Sequence, residues 1–298
     1  MKQYLFFLLL LPILVACEKE DTPGYQLGGD PATVVVPVAK GDAGRLEMPK
    51  LRGTSDELFI VHRTAPSAAG RDSVVNFAYA YDIRKFHSRW VAFRFDSDTR
   101  PKRVDRKSYS IRPQYPRDPK LPAIYALQND ASFNGYDHGH LVASADRLYS
   151  REGNDQTFYL SNMSPQDPQF NQSYWVNLEQ LVQTLGRDEK FSDTLYVVKG
   201  GTIDRDDYIW KYVSSNRVPV PKYHFMALLR VKNNTYSAIA FWLENKDYGK
   251  SSTKADLATH ILSVRELESL TGIDFFHNLP DAIEQQVEGS PTLSTWGF

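Results

Sequence analysis

Histidine, asparagine and carboxylate side chains are concentrated between residues 136 and 179, in three short stretches. These stretches read YDHGHL at 136–141, SNMSPQ at 161–166 and FNQSYWVNLE at 170–179. Burying such polar groups is unfavourable unless they are paired or hold a metal. A folded core would not collect them without a use, so this segment is the candidate chemical site of the chain.

The residue types in this segment suit the activation of a water for a hydrolysis, of which that of a phosphodiester is one example. That reaction needs an activated water, a group that stabilises the added negative charge, and help for the departing oxygen. A neutral imidazole, whose ordinary pKa is about 6.5, can take the proton of the water. A divalent metal can neutralise the charge at phosphorus and on the leaving oxygen. Hard oxygen ligands suit Mg²⁺, which usually keeps several waters and few protein ligands.

The three stretches resemble the signature of the sugar-non-specific DNA/RNA endonucleases, within the ββα-metal or His-Me finger nucleases. The Asp-Arg-Gly-His motif of that family is similar to DHGH at 137–140, where His138 replaces the arginine. The Asn-x-(Ser/Thr)-Pro-Gln element is intact at 162–166, and the Asn-x-x-x-Trp-x-x-Leu-Glu element is intact at 171–179. The resemblance covers roughly residues 56–287 and includes GG at 200–201, VPVP at 218–221 and LTGIDFF at 270–276.

The resemblance implies a role for each polar residue. It assigns His140 as the general base and Asn171 as the one direct protein ligand of Mg²⁺, with Mn²⁺ as an alternative ion. Glu179 would act on the metal through a bound water, and Asn162 would hold the base or the phosphate in place. The implied activity is endonucleolytic cleavage of DNA and RNA that leaves 5′-phosphate ends. Little sequence preference is expected, because phosphate contacts carry no base information.

A further phosphate-binding arginine is expected in the basic, Pro-rich stretch 96–135. The family places this residue shortly before an Asp-Pro like that at 118–119, and we select Arg112 on that basis. Arg103 and Arg106 are alternatives, because the spacing is ambiguous. A solvated surface loop is the other interpretation of this basic run. The net charge of the whole chain is −1, so positive charge at a nucleic-acid site must be local.

His138 is the position at which the chain departs from the family motif. An arginine would give a permanent charge and a forked donor, whereas histidine is charged only below its pKa of about 6.5. The substitution predicts phosphate binding that is weaker or shifted to acid pH. If His138 must be charged and His140 neutral, the rate should have a bell-shaped pH profile whose alkaline limb is flattened by His138→Arg.

Three other interpretations stay open at this stage. Asp137, His138 and His140 could form a transition-metal site, since histidine is a common zinc ligand. The chain could instead be a catalytically inactive lipoprotein that uses the same fold to bind nucleic acid. A phosphodiesterase that acts on small nucleotides is a third candidate. Degradation of plasmid DNA with Mg²⁺ and its protection by chelator test the inactive lipoprotein, and plasmid nicking against turnover of cyclic nucleotides separates the phosphodiesterase.

Apolar spacing predicts a helix that carries the metal-ligand candidates. The helix opens at Asn171, and its apolar stripe consists of Trp175, Leu178, Val182 and Leu185. Asn171 lies on that stripe one turn before Trp175, and the Glu at position 179 lies about 80° round the helix. A polar residue at the head of a buried stripe needs a partner, which is either the metal or, if Asn171 is an N-cap, the helix backbone.

The remaining pattern predicts a mixed α/β domain of the α+β kind. Strands are expected at 58–61, 74–81, 90–95, 157–160, 195–198, 223–231 and 236–243. The segments at 74–81 and 90–95 form a probable hairpin, and a covering helix is expected at 255–270. The expected architecture is a central, mainly antiparallel sheet flanked by helices, with a ββα-metal unit embedded at 136–185.

The N-terminal segment predicts a lipoprotein. Residues 1–16 have a basic start and an apolar run and are expected to be a signal peptide. Cys17, the only cysteine, follows LVA in a lipobox-like sequence and is expected to carry the lipid anchor. Residues 17–55 are expected to be a tether, 56–290 the endonuclease domain and 291–298 a flexible tail. The expected location is the cell envelope, on the outer membrane, with the domain facing outward and its lipid in the membrane.

Overall fold

The computed structural model of the chain describes residues 26–27, 34–35, 40–66, 72–215 and 217–298. The predicted signal peptide and the lipid attachment expected at Cys17 lie outside these residues. In the part of the chain that is described, no helix combines the length and apolar character needed to cross a membrane.

The described residues form thirteen strands and seven α-helices. The strands are β1 Gln26–Leu27, β2 Val34–Val35, β3 Glu57–Thr64, β4 Val74–Asp82, β5 His87–Phe95, β6 Asp137–His140, β7 Met163–Gln166, β8 Thr194–Gly201, β9 Ile209–Val213, β10 Val218–Pro221, β11 Tyr223–Lys232, β12 Thr235–Glu244 and β13 Ile261–Leu262. The helices are α1 Lys40–Ala43, α2 Arg151–Gln156, α3 Pro168–Phe170, α4 Val176–Arg187, α5 Lys254–Ala258, α6 Val264–Thr271 and α7 Asp281–Gly289. One π-helical turn, Asn171–Trp175, joins α3 to α4.

Seven of the strands make one antiparallel sheet in the order β13-β12-β11-β8-β5-β4-β3. The predicted hairpin of β4 and β5 is confirmed, with Ala78 opposite Ala92. The strands expected at 195–198, 223–231 and 236–243 are β8, β11 and β12 at the centre of the sheet. The predicted fold class, a mainly antiparallel sheet flanked by helices, is therefore confirmed.

Side chains that alternate along the strands build a core on each face of this sheet. In β4, Phe77, Tyr79 and Tyr81 pack on one face together with the apolar stripe of α4. Ala78 and Ala80 point to the opposite face, where α6 and α7 cover the sheet. Because both faces are covered, β4 is buried along nearly its whole length, and the sheet is a rigid base for the site.

The predicted ββα unit lies on the α4 side of the sheet. Strands β6 and β7 pair in antiparallel fashion from Asp137 opposite Gln166 to His140 opposite Met163. Gly139 lies between the two histidines, and a Cβ added there would come within 2.1 Å of Gln166 Oε1. The glycine of the motif is thus required by the close approach of the β7 side chain.

The prediction of a strand at 157–160 is wrong. The chain turns there, and the strand begins only at Met163, after a short 3₁₀ turn at Leu160–Asn162. Asn162 explains the turn, because its side chain accepts a hydrogen bond from Val142 N and donates to Val142 O and Thr157 O. These contacts join residues that are distant in sequence, so alternation alone could not reveal them.

The single helix predicted at 255–270 is also wrong. Two helices, α5 and α6, occupy this stretch, and β13 lies between them and pairs with β12. Each helix has its own start signal, because Thr253 accepts a bond from Asp256 N and Ser263 accepts one from Glu266 N. Two capping boxes at this spacing favour two helices.

The ends of the domain are packed more closely than expected. Met48, which was assigned to the tether, is 1% exposed and belongs to the core on the α6 side of the sheet. Trp296, which was assigned to a flexible tail, is 2% exposed and donates its indole N–H to Ser237 Oγ at 3.2 Å. Burial of these large side chains holds residues 45–51 and the last turn against the domain, so neither segment is free there.

Candidate active site

His140 lies at the end of β6 with its ring packed edge-on against Phe158, at 5.1 Å between centroids. The indole of Trp175 donates to the carbonyl of His140 at 3.1 Å and thereby ties β6 to the π-helical turn. The Nε2 atom of His140 is buried without a hydrogen-bond partner among the described residues. Burial lowers the pKa of His140 to about 3, and the nearby charge of Arg106 adds to this effect. The imidazole is therefore neutral near pH 7 and able to accept a proton.

Asn171 is the first residue of the π-helical turn and faces the same region. Its Nδ2 donates to Asp137 Oδ2 at 2.9 Å, and Gln172 Nε2 donates to that same oxygen at 2.9 Å. The bond to Asp137 orients the amide group of Asn171, so that its Oδ1 is the atom that can accept a hydrogen bond or bind a cation. The helix cap is Asp167, whose side chain accepts from the backbone at the start of α3. The capping interpretation of Asn171 is therefore wrong.

Glu179 lies on α4 and is 9% exposed. Its Oε1 is 3.7 Å from Lys199 Nζ, and that ammonium is 3.1 Å from Asp146 Oδ2. Burial raises the pKa of Glu179 to about 8, with the Lys199 charge opposing the rise and the Asp146 charge adding to it. Burial thus disfavours the ionised form of Glu179, and a further positive charge nearby would stabilise that form. Sequence analysis missed Lys199, although a lysine inside the apolar run of β8 was a visible signal.

His140, Asn171 and Glu179 line one cleft that has two adjoining lobes. The glutamate lobe, about 430 Å³, contains Glu179 and Gln183. The tyrosine lobe, about 320 Å³, contains Tyr136 and His138. The lobes have in common the side chains of Arg106, Tyr109, His140, Asn171 and Gln172. The candidate base and the candidate ligand thus lie at the junction of the two lobes.

Arg106 is the arginine that the fold brings to the cleft. Its guanidinium lies over the ring of Tyr109, at 3.8 Å from the centroid, and it lines both lobes. Arg112 lines neither lobe, is exposed, and donates from Nη1 to the carbonyl of Tyr109. Arg103 is exposed and lines neither lobe, and its backbone N–H donates to Leu148 O. The position of Arg112 does not support its selection, because the turn at 108–112 directs that side chain back onto its own backbone.

His138 lies in an aromatic sandwich between Tyr115 and Phe133, at ring separations of 4.2 and 4.4 Å. Its Nε2 donates to the carbonyl of Ala131 at 2.8 Å. Burial of the ring lowers the pKa of His138 and so disfavours its charged form. The packing around His138 therefore does not favour the positive charge expected of it in place of the family arginine. The contacts of His138 join β6 to the loop that precedes it, and a structural role agrees with them.

A transition-metal site at the same place is also disfavoured. His138 uses Nε2 for its bond to Ala131, and Asp137 Oδ2 accepts from two amides. Over the ranges that the structure describes, no group of three or more His, Cys, Asp or Glu side chains could hold a metal ion. A site with one asparagine ligand and several waters is compatible with that finding.

Asn162 does not reach the cleft. It is fully buried, and its bonds to Val142 and Thr157, at 2.7–2.9 Å, use both ends of its amide. Val142 follows His140 by two residues, so Asn162 fixes the strand that carries the histidine. Of the two roles expected for Asn162, positioning the base agrees with the structure and contact with the phosphate does not.

Comparison with known proteins identifies similar nucleases. The chain is 28% identical to Endonuclease G, mitochondrial, of Homo sapiens over 230 residues, which are 72% of each chain. It is 31% identical to a nuclease of Nostoc sp. over 226 residues, 71% of this chain and 75% of that protein. It is 29% identical to Nuclease EXOG, mitochondrial, of Mus musculus over 216 residues, 68% of this chain but only 56% of that relative's length.

The fold and a family model agree with these similarities. A chain from the crystal structure of the EndoG/EndoGI complex has the same fold, with a TM-score of 0.60 and 23% identity over 78% of this chain and 92% of that chain. The model of the family described as DNA/RNA non-specific endonuclease matches residues 55–282, which is more than half of the chain. The chain therefore belongs to the DNA/RNA non-specific endonuclease family.

Proposed function

We propose that the chain is a Mg²⁺-dependent endonuclease that hydrolyses the phosphodiester bonds of DNA and RNA with little sequence preference. The observation that carries the proposal is the convergence of His140, Asn171 and Arg106 on one cleft. A neutral base, an oriented amide oxygen and a cation are the groups that phosphodiester hydrolysis requires. Their chemistry matches the activity that gives the family its name.

The residues of the cleft fit a divalent cation bound mainly by water. Asn171 would be the direct ligand, because its amide nitrogen is held by Asp137 and its Oδ1 is the remaining donor atom. Glu179, in the same lobe, would hold a metal-bound water. Such oxygen ligands suit Mg²⁺, with Mn²⁺ as an alternative. The bound ion would supply positive charge that stabilises the phosphorane and the departing oxygen.

The side chains of the cleft would bind the phosphate, accept the proton of the water and position the base. Arg106 would bind a non-bridging phosphate oxygen and fix the phosphorus near the base. His140 would take one proton from the water that attacks phosphorus. The bond from phosphorus to the 3′ oxygen then breaks, the departing oxygen takes a proton from solvent water, and the products are a 5′-phosphate and a 3′-hydroxyl. Trp175 and Asn162 would keep the imidazole in place through the bonds they make to the backbone of its strand.

Digestion of several substrates tests this proposal and separates its rivals. Plasmid DNA, single-stranded DNA, RNA and a cyclic nucleotide are incubated with the protein and Mg²⁺, and the new ends are analysed. We expect internal cleavage of the three polymers with 5′-phosphate ends and no turnover of the cyclic nucleotide. Turnover of the cyclic nucleotide alone identifies a small-molecule phosphodiesterase. Binding of all polymers without cleavage identifies the inactive nucleic-acid-binding module.

Arg106→Ala is expected to lower kcat/KM about tenfold to a hundredfold. A hydrogen bond to a charged group contributes about 1.5–3 kcal/mol, and each 1.4 kcal/mol corresponds to a factor of ten. The loss should appear largely in KM and should shrink as the salt concentration rises. The measurement is initial rates on single-stranded DNA at two ionic strengths, with the exposed Arg103→Ala as the matched control. Equal losses in the two variants would remove Arg106 from the phosphate site.

The pH profile is expected to lack an alkaline limb that belongs to His138. Proton acceptance needs neutral His140, and burial depresses its pKa to about 3. Its protonated form therefore grows only well below pH 6.5, and kcat/KM should stay level from about pH 6 to 8. The measurement is kcat/KM from pH 4 to 9 for the wild type and His138→Arg. An alkaline fall in the wild type that the variant abolishes would restore the charged role of His138.

The lipid anchor is a separate part of the proposal. A lipid on Cys17 would attach the nuclease to the cell envelope, at the outer membrane and facing outward. The supporting observation is the lipobox-like sequence that ends at the only cysteine. Fractionation of cells that produce the Cys17→Ala variant tests it, because loss of the anchor moves the protein from the membrane to the soluble fraction.

A further inference from the structure

Tyr109 is an exposed aromatic residue in the wall of the cleft. It is 64% exposed, yet it lines both lobes beside His140 and Asn171. The guanidinium of Arg106 covers part of the ring, and Arg112 holds the carbonyl of Tyr109. The protein thus fixes an aromatic ring at the mouth of the site without burying it.

A second aromatic residue with a nearby cation lines the tyrosine lobe. Tyr136 is half-buried there, and Lys211 Nζ from β9 lies 5.0 Å from the centroid of its ring. Tyr115 also lines this lobe and is stacked on His138. The lobe therefore offers aromatic rings, and a cation lies against two of them, Arg106 against Tyr109 and Lys211 against Tyr136.

The tyrosine lobe also contains one carboxylate. Asp137 Oδ2 already accepts bonds from Asn171 and Gln172, so part of its charge is compensated. A phosphate would be repelled by a carboxylate inside the lobe, whereas a nucleobase is uncharged. The arrangement suits a base inside the lobe and phosphates close to the cations Arg106 and Lys211.

We propose that the tyrosine lobe binds an unstacked nucleobase next to the scissile phosphate, so that the enzyme favours single-stranded over duplex nucleic acid. This inference rests on the proposed nuclease function and specifies its substrate. Aromatic side chains among cations bind single strands, because every base has a face that can stack. A base in a duplex must first leave its stack, which costs a few kcal/mol.

An abasic substrate separates base stacking from phosphate contact. Two short single-stranded oligonucleotides of one sequence are compared, and one of them lacks a single base. The rate at the bond beside that position is divided by the rate at the same bond in the parent. Stacking is worth about 1–3 kcal/mol per base, so the wild type should cut the abasic bond roughly five- to a hundredfold more slowly. Tyr109→Ala should cut the parent more slowly by a similar factor and should hardly distinguish the two substrates, whereas Tyr109→Phe keeps the ring and should therefore keep the abasic effect.

The matched control is an aromatic residue outside the cleft. Trp210 is 52% exposed, and Lys222 Nζ lies 4.8 Å from its ring, but Trp210 lines neither lobe. Trp210→Ala should leave the rates on single-stranded and duplex DNA unchanged. Two results with Tyr109→Ala would show that the lobe does not hold a base. One is an equal loss of rate on single-stranded and duplex DNA. The other is an abasic substrate that is still cut as much more slowly than its parent as by the wild type.

Binding without turnover keeps this inference distinct from the nuclease proposal. Fluorescence anisotropy of the parent and abasic oligonucleotides is measured with His140→Ala in chelator. Tighter binding of the parent, lost in the His140→Ala/Tyr109→Ala double variant, supports the base site even if no substrate is cleaved. Equal affinities for the two oligonucleotides overturn the base site, whether or not the wild type is an active nuclease.

Discussion

His140→Ala is expected to lower kcat about 10²- to 10⁴-fold, which is the usual contribution of a positioned general base. The affinity for Mg²⁺ and the fold should change little, because His140 is assigned to proton transfer and not to the metal. Initial rates on single-stranded DNA give the loss of turnover, and calorimetric titration with Mg²⁺ gives the affinity. Thermal unfolding shows whether the domain is intact.

A histidine outside the cleft provides the comparison for this variant. His260 packs against Tyr174 and Tyr248 and lines neither lobe. His260→Ala should reduce stability through lost packing but leave kcat close to the wild-type value. A His140→Ala enzyme that still turns over within a few-fold of the wild type would contradict the assignment of the base.

Asn171→Ala is expected to abolish Mg²⁺ binding and activity together. The change removes the only direct protein ligand in the proposal, and metal stabilisation of the transition state is worth several kcal/mol. A loss of 4 kcal/mol, for example, corresponds to about a thousandfold in rate. The measurements are Mg²⁺ affinity by calorimetry and the rate as a function of Mg²⁺ concentration.

Two variants separate metal ligation from support of the helix. Asn177, which lies on α4, donates to Ser251 and Ser252 and does not line the cleft, so Asn177→Ala should keep full Mg²⁺ affinity. Gln172→Ala removes the second amide from Asp137 but no proposed ligand, and its effect should be small. Unchanged Mg²⁺ affinity in Asn171→Ala would mean that the ion is bound elsewhere.

The sequence was sufficient to predict that the main candidate residues lie together, because local spacing decides their positions. His140 and Asn171 belong to short motifs, and the helical period brings Glu179 to the same side of the domain. The strands with alternating side chains, such as β4, were also recognisable. In each case the decisive signal lies within ten residues of the element it describes.

The sequence was insufficient where contacts between distant segments decide the structure. The burial of the His138 ring depends on Tyr115 and Phe133, and the turn before β7 depends on the bond between Asn162 and Val142. For the same reason, the sequence could not show whether Arg106 or Arg112 lies in the cleft. Both residues lie in one basic loop, and only the folded path of that loop shows which of them faces His140.

The motifs also could not predict the contacts that orient the side chains of the site. Asp137 belongs to the first motif, but its bonds to Asn171 and Gln172 join residues 34 and 35 positions apart. Lys199 comes from β8 to lie 3.7 Å from Glu179. Such groups set the geometry of the cleft, and their partners become apparent only once β6, α4 and the sheet are assembled.

Cleavage of plasmid DNA as a function of free Mg²⁺ tests the central claim most directly. The wild-type protein is mixed with supercoiled plasmid across a series of Mg²⁺ concentrations, and a parallel series contains excess chelator. The account predicts cleavage that rises to saturation with Mg²⁺, stops in chelator and is absent at every concentration in Asn171→Ala. Cleavage that persists in chelator, or an Asn171→Ala enzyme with the same Mg²⁺ dependence as the wild type, would contradict it.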